Sequence, residues 1–298
     1  MAMDSIKKNK TYKEYKEKVI KLLVENRTWK ENGVWKHKGK ITPKSHILPL
    51  RDNINSPKNR AEAIKKCIDF DCTPYFPKGF RGLHPYAHHL TSSQSLCLQF
   101  FANLIDQNLC ATEGMVEFIK KGFGIDIHVG ATCTFEYVEK IQPYLFDADK
   151  DGNIIPGYEG TSFDFHIKDD MVEIYFEIKF TEQGFKKEKS DQRHLAKARR
   201  YLDPKVAPQF LRNLLSEPQD FLNQYQIYRN IIRAKENSEK YVVFISDGNN
   251  PETNSDKEMM ENLNLPKNVM FKTWQELTTR ELYPFELPFQ LKAIQNYK

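Results

Sequence analysis

The sequence predicts an α/β protein with a central mixed β-sheet flanked by helices. Three observations carry this. Residues 160–185, GTSFDFHIKDDMVEIYFEIKFTEQGF, hold two alternating runs joined by the polar turn Lys168-Asp169-Asp170, the pattern of a β-hairpin. Tyr241 to Ser246, YVVFIS, is a short continuous apolar run ending in Asp247-Gly248, as expected of a strand buried on both faces. Amphipathic helical patterns precede the hairpin and separate it from that run, and such alternation favours one layered α/β unit.

The 298 residues, 40% of them hydrophobic, suffice for one large core, and no repeat, low-complexity tract or flexible linker divides them. We therefore expect a single domain over 1–298. A net charge of +5 permits a polyanionic partner without demanding one. The five cysteines are an odd number, and the opening MAMDSIKKNK has no apolar stretch of a secretory signal. No run approaches the roughly 20 apolar residues of a membrane span. The expectation is a soluble cytoplasmic protein with free thiols and no membrane contact.

In chain order, residues 4–26 read as a helix, with Tyr12, Tyr15, Val19, Leu22 and Leu23 at helical spacing and lysines on the other face. Residues 27–60 are polar and proline-containing and read as loop. Residues 61–68 read as a short helix. Residues 90–106 read as a buried helix capped by Ser92 or Ser93, and 113–121 as a helix ended by Gly122. Residues 133–142 read as a short helix or a strand-helix element stopped by Pro143. A basic helix is expected from Ser190 to Tyr201, with Ser190 as its cap. A long helix follows from Pro218 to Asn237, with Gln226, Arg229 and Arg233 opposite its apolar stripe. Val269 to Phe271 reads as a further strand and Trp274 to Leu282 as a closing helix.

The hairpin carries the chemistry. In the first run Phe163, Phe165 and Ile167 should point one way and Asp164 and His166 the other. In the second, Val172, Ile174, Phe176, Ile178 and Phe180 form one face and Glu173, Tyr175, Glu177 and Lys179 the other. Antiparallel pairing across an even-numbered loop then sets Asp164 on the surface of Glu177 and Lys179. Two carboxylates from adjacent strands suit Mg2+, which takes oxygen ligands and shares the rest with water and phosphate. A lysine beside them can orient or activate a metal-bound water. Spacing alone balances this against ordinary cross-strand ion pairs on a solvated face.

Asp164, twelve intervening residues and then Glu177-Ile178-Lys179 resembles the motif of the PD-(D/E)xK nuclease superfamily. The wording is most similar to a family of bacterial restriction-endonuclease-like proteins. HHLTSSQSLCLQFF (88–101), FEY (135–137), GTSFDF (160–165), FEIKFTE (176–182) and YQIYRNI (225–231) occur here in consistent order. Ser162-Phe163 replaces the proline that names the motif, a departure common in that family. The resemblance implies a restriction-endonuclease-like fold, with a nuclease core over 84–246 and a partly helical elaboration over 1–83. It further implies a Mg2+-dependent endodeoxyribonuclease, with Mn2+ able to substitute, in a type II-like restriction role or another defence or repair role. Asp164 and Glu177 would bind the metal, and Lys179 would assist the water. Glu136 would match an additional acid carried on an upstream helix, with Glu139 as its competitor. Gln226 and Arg229 would lie near the DNA, and Arg193 and Lys197 of the basic helix would contact phosphates, which dominate nucleic-acid affinity. DNA is the implied partner, and a homodimer suits enzymes acting on symmetric sites.

Two other readings of the fold stay open: a non-catalytic nucleic-acid-binding protein, and an RNA nuclease. Two further motifs are weaker. Asp147, Asp149, Asp151 and Gly152 mimic a calcium loop, but Tyr158 stands where the terminal glutamate belongs, so a turn is the better account. Cys67, Cys72, His84 and His88 approach zinc-finger spacing without a finger hairpin or helix around them.

Overall fold

In the computed structural model, the residues described are 2–37, 40–50, 56–76, 82–140, 160–185, 187–215, 217–234, 239–295 and 297. The chain runs through α1 (Ala2–Glu25), β1 (Gly33–His37), β2 (Lys40–Lys44), α2 (Pro57–Ile68), α3 (Ser93–Ala102), α4 (Glu113–Phe123), β3 (Thr132–Lys140), β4 (Gly160–Lys168) and β5 (Glu173–Ile178). It continues through α5 (Gln192–Tyr201), α6 (Gln209–Leu214), α7 (Pro218–Asn223), α8 (Tyr225–Ile231), β6 (Lys240–Ser246), α9 (Pro251–Glu261), β7 (Val269–Thr273), α10 (Trp274–Leu277) and α11 (Phe289–Ile294).

The main sheet has five strands in the order β3-β4-β5-β6-β7, so β5 is its centre. β3, β4 and β5 pair antiparallel, whereas β6 and β7 add in parallel. The mixed sheet predicted from sequence is therefore present. The hairpin has the expected register, with Phe165 opposite Phe176 and Lys168 opposite Glu173. Helices cover both faces. On one, α1 to α4 and the C-terminal helices pack on Phe165, Ile167, Ile174, Phe176 and Ile178. There Phe101 stacks on Phe165, with ring centroids 4.0 Å apart. A fully buried Phe contributes about 1.5–3 kcal/mol by burial. On the other face, α5 to α8 pack on Phe163, Tyr175, Val242 and Phe244. The polar face of the hairpin is thus not an open solvated surface. It is half roofed by helices, which leaves its charged residues buried or half-buried.

Phe163 departs from the predicted alternation. It lies in the second cluster, its ring 4.9 Å from that of Tyr175, whereas Phe165 and Ile167 lie in the first. The neighbouring strand does the same, with Phe135 in the first cluster and Tyr137 against the second. Both strands change face across Glu136 and Asp164. The physical cause is Glu136, whose φ of 49° is left-handed and breaks the regular period of two. The pairing flanks these two residues, Phe135 with Phe165 and Tyr137 with Phe163, and skips them.

Other expectations need correction. Residues 132–140 are wholly strand, so Glu136 sits on a strand rather than on an upstream helix. The long helix of 218–237 breaks at Gln224 (φ −137°, ψ 45°) into α7 and α8. The polar 27–60 segment holds a two-stranded hairpin, β1 with β2. α4 runs through Gly122 and ends at Gly124, whose φ of 69° suits a glycine C-cap. Asp191, not Ser190, caps α5 through the His194 amide. The Asp147–Gly152 loop and Glu159 lie outside the described residues, as do the side chains of Glu139 and Lys140. No helix among the described residues is long and apolar enough to cross a membrane.

Buried histidines make stability depend on pH. Burial, with Arg60 nearby, lowers the His88 pKa from 6.5 to about 4. The unfolded chain therefore binds more protons between those values. The contribution is fully present above pH 6.5 and is lost as pH falls towards 4, about 2 kcal/mol of it between pH 7 and pH 5. Denaturant melts at pH 7 and pH 5 should show His88→Leu losing about 2 kcal/mol less than wild type over that interval. An unchanged difference between the two pH values would mean His88 is not held neutral.

Candidate active site

Glu177 is the next-to-last residue of the central strand, Lys179 follows that strand's end, and Asp164 lies within β4. Extending the register from Phe165 and Phe176 by one residue sets Asp164 opposite Glu177. Glu136 stands across from Asp164 on β3, where the pairing is interrupted. Four elements fix the segment after β5. The Lys179 amide donates to the Ile245 carbonyl (2.8 Å), and the Trp274 indole donates to the Lys179 carbonyl (3.3 Å). The Tyr15 hydroxyl of α1 reaches the Phe180 carbonyl (3.0 Å) and the Asp247 carboxylate (2.7 Å). Asn250, from the cap of α9, donates to the Glu182 carbonyl (2.9 Å).

Glu136, Asp164, Glu177, Lys179, Glu182 and Gln226 all line one cavity of about 490 Å³. Glu177 is 3% exposed. Its Oε1 accepts from Lys179 Nζ (2.7 Å) and Gln226 Nε2 (2.5 Å), and its Oε2 accepts from Asn230 Nδ2 (2.9 Å). The Asp164 Oδ2 accepts from the Ile178 amide (2.6 Å), and the Cys97 thiol lies 3.6 Å from the Asp164 carbonyl. Gln94 donates to the Gly82 carbonyl (2.7 Å) and is hydrogen-bonded to the Glu136 carboxyl. A Cβ at Gly82 would stand 3.1 Å from the Phe76 ring and 3.4 Å from the Glu136 Cβ, so a larger residue there would crowd Phe76 first.

Crowding three carboxyls here has an electrostatic signature. Burial, reinforced by the Glu177 charge, pushes Asp164 well above the usual carboxylate range. Burial, with Glu177 again adding, pushes Glu136 up to about 7. Burial disfavours the Lys179 ammonium, yet the Glu177, Asp164 and Glu182 carboxylates outweigh it and raise its pKa. Lys179 is therefore a charged ammonium at neutral pH. A left-handed glutamate costs on the order of 1–3 kcal/mol, and such strain concentrates at functional sites.

Among the described residues, no three acid, histidine or cysteine side chains already stand as a ligand set, and Cys67, Cys72, His84 and His88 form none. Glu177 is instead engaged by Lys179, Gln226 and Asn230. The donor chemistry of the cavity nevertheless fits a hard divalent cation. Asp164, Glu177 and Glu136 offer only oxygen, and burial together with the Glu177 charge raises the pKa values of Asp164 and Glu136, a penalty that a bound cation would offset.

The structure brings Asp164, Glu177, Lys179, Glu136 and Gln226 together. Arg193, Lys197 and Arg229 do not line the cavity. Arg193 is exposed, while Lys197 and Arg229 lie over the Tyr225 ring at 5.4 and 5.5 Å. Sequence reasoning missed Asn230, fully buried and bonded to Glu177. Its signal was present: a carboxamide at helical spacing with Ile227 and Ile231 on the apolar side of the helix must find a buried partner. It also missed Gln94, hidden in the cap of the predicted 90–106 helix.

Compared with known proteins, residues 21–284 match the family described as Restriction Endonuclease associating with ARP. No curated protein matches, and no solved structure matches.

Proposed function

The chain belongs to that family of restriction endonucleases associating with ARP, and from this premise we propose that it is a Mg2+-dependent endonuclease hydrolysing DNA phosphodiester bonds. The family itself suggests a nuclease-like role and implies DNA binding. The finer reading rests on one observation: Asp164, Glu177, Lys179 and Glu136 border a single cavity at the end of the central strand. In this reading the sheet is a restriction-endonuclease-like core.

Asp164 and Glu177, with Glu136, would hold Mg2+, or Mn2+ in its place. The bound ion would lower the pKa of its water and draw charge from the phosphoryl oxygens. The remaining work falls to this chain's own groups. Gln226 and Asn230 fix the Glu177 carboxylate. Lys179, kept charged by its carboxylate neighbours, is not a proton acceptor in this state. It would orient the attacking water and balance charge on the phosphate by donating from Nζ. A homodimer would place two such sites on a symmetric DNA sequence.

Purified protein is expected to nick or linearise supercoiled plasmid with Mg2+, to stop in EDTA, and to leave RNA uncut. Glu136→Gln should slow cleavage on the order of 10- to 100-fold or more, through loss of one of the three carboxyls that would hold the ion. No cleavage of plasmid or of a single-stranded DNA circle under any divalent ion, or cleavage that persists in EDTA, would refute the proposal.

A further inference from the structure

A second cavity, of about 480 Å³, opens beside the carboxylate cavity and shares Lys16, Trp35, His89 and Thr91 with it. Its lining is of opposite character. Lys16, Lys40, Lys44, Trp35, His46 and His89 border it, and no Asp or Glu does. Lys40 and Lys44 lie on β2, all five of whose residues are exposed. The Trp35 ring on β1 is 5.5 Å from that of Tyr86 and 5.7 Å from that of His89. Tyr86, 49% exposed, lines the carboxylate cavity, and its ring is 5.2 Å from that of His89. His46 stands edge-on to His89 at 6.1 Å.

Lysines alone would suit any phosphate backbone. Lysines around clustered aromatic rings in a concave groove suit something narrower. A base stacked in a duplex offers its face only to its neighbours, whereas an unpaired base can lie against an aromatic ring while lysines hold its phosphates. His46 and His89 fit this role as neutral rings, since burial lowers both their pKa values, that of His89 to about 3.

We propose that the groove between the β1–β2 hairpin and residues 84–91 takes an unpaired nucleotide of a DNA strand, stacked on Trp35 and Tyr86 and held through its phosphates by Lys40, Lys44 and Lys16. The strand would then run from the basic groove into the carboxylate cavity. This rests on the reading of that cavity as a DNA nuclease site and adds the form of DNA it takes: a strand with unpaired bases beside the scissile bond.

The test is fluorescence anisotropy in EDTA, where nothing is cut, with a labelled 20-nucleotide single strand, the same strand annealed to its complement, and an RNA strand of the same sequence. Trp35→Ala and Tyr86→Ala should each weaken single-strand binding on the order of 10-fold or more, since an aromatic stack is worth that much per base. Duplex affinity should change less than about 2-fold, because duplex bases stay stacked and the phosphate term dominates. Tyr86 is exposed enough that its truncation leaves the fold intact, and Trp35→Phe should restore most single-strand binding. Lys40→Ala with Lys44→Ala should weaken both DNA forms and flatten their salt dependence. Equal losses for single strand and duplex, or none with Tyr86→Ala, overturn the proposal, and tighter RNA binding overturns the choice of DNA. The two readings separate cleanly. Ring-dependent single-strand binding without Mg2+-dependent cleavage sinks the nuclease reading alone, whereas cleavage without ring-dependent binding sinks this one alone.

Discussion

Asp164→Asn should abolish plasmid cleavage, by on the order of 10³-fold or more, and in the same preparation make the metal-free protein more stable by about 1–2 kcal/mol. The two effects have one cause. Burial and the Glu177 charge push the Asp164 carboxyl well above the usual range, so the fold without a cation prefers it neutral. Asparagine is the neutral isostere, and its side-chain oxygen can still accept from the Ile178 amide, now 2.6 Å from Asp164 Oδ2. What it loses is the negative charge a divalent cation needs. Gaining stability by losing function is the signature of a site where function sets the charges. Urea unfolding in EDTA beside a cleavage time course reads both. A destabilised Asp164→Asn would mean the carboxylate is a structural partner, and the crowding argument would fail.

Lys179→Ala has the opposite sign on stability and the same sign on activity. The lysine is the positive charge nearest to Glu177, at 2.7 Å, and both side chains are largely removed from solvent. Removing one partner of a buried pair leaves the other uncompensated, which costs about 3–5 kcal/mol. Gln226 and Asn230 still donate to Glu177, so the loss should fall at the lower end, near 3 kcal/mol. Cleavage should fall on the order of 10²- to 10³-fold. The double variant Asp164→Asn with Lys179→Ala should recover about 1 kcal/mol or more relative to the sum of the single changes, because each removes part of what the other balances. Strict additivity of the two unfolding free energies would show that the groups do not share one electrostatic site.

Much of this arrangement can be read from the chain. Alternation from Phe165 to Phe180 is enough to pair β4 with β5 in register, because a slip of one residue would expose Ile174, Phe176 and Ile178. The continuous apolar run at 241–246 marks a strand covered on both faces, and it lies beside the central strand in parallel. Period-two logic fails at the site itself. A glutamate in a left-handed conformation leaves no trace in hydrophobic pattern, so the shared change of face at Glu136 and Asp164 emerges only with the backbone in view. The break at Gln224 is equally silent, since neither glycine nor proline marks it. Other omissions were avoidable. Asn250 followed by Pro251 is a plain helix start, with a capping side chain and a proline at the first helical position, and it opens α9. Val34-Trp35 and Ile41-Thr42 are strand-forming pairs inside a segment whose polar residues and prolines suggested loop. The convergence of Gln226 and Asn230 on Glu177 depends on how α8 lies over the sheet, which no local pattern encodes.

The claim that joins these results is that Asp164, Glu177 and Glu136 bind a divalent cation. The most direct test is a crystal soaked with Mn2+ and measured for anomalous scattering. The account predicts one strong peak in the cavity at the end of β5, within about 2.5 Å of oxygens from Asp164 and Glu177, and no peak there in Asp164→Asn crystals grown alike. A soaked crystal with no peak in that cavity, or with the same peak in the variant, would contradict it.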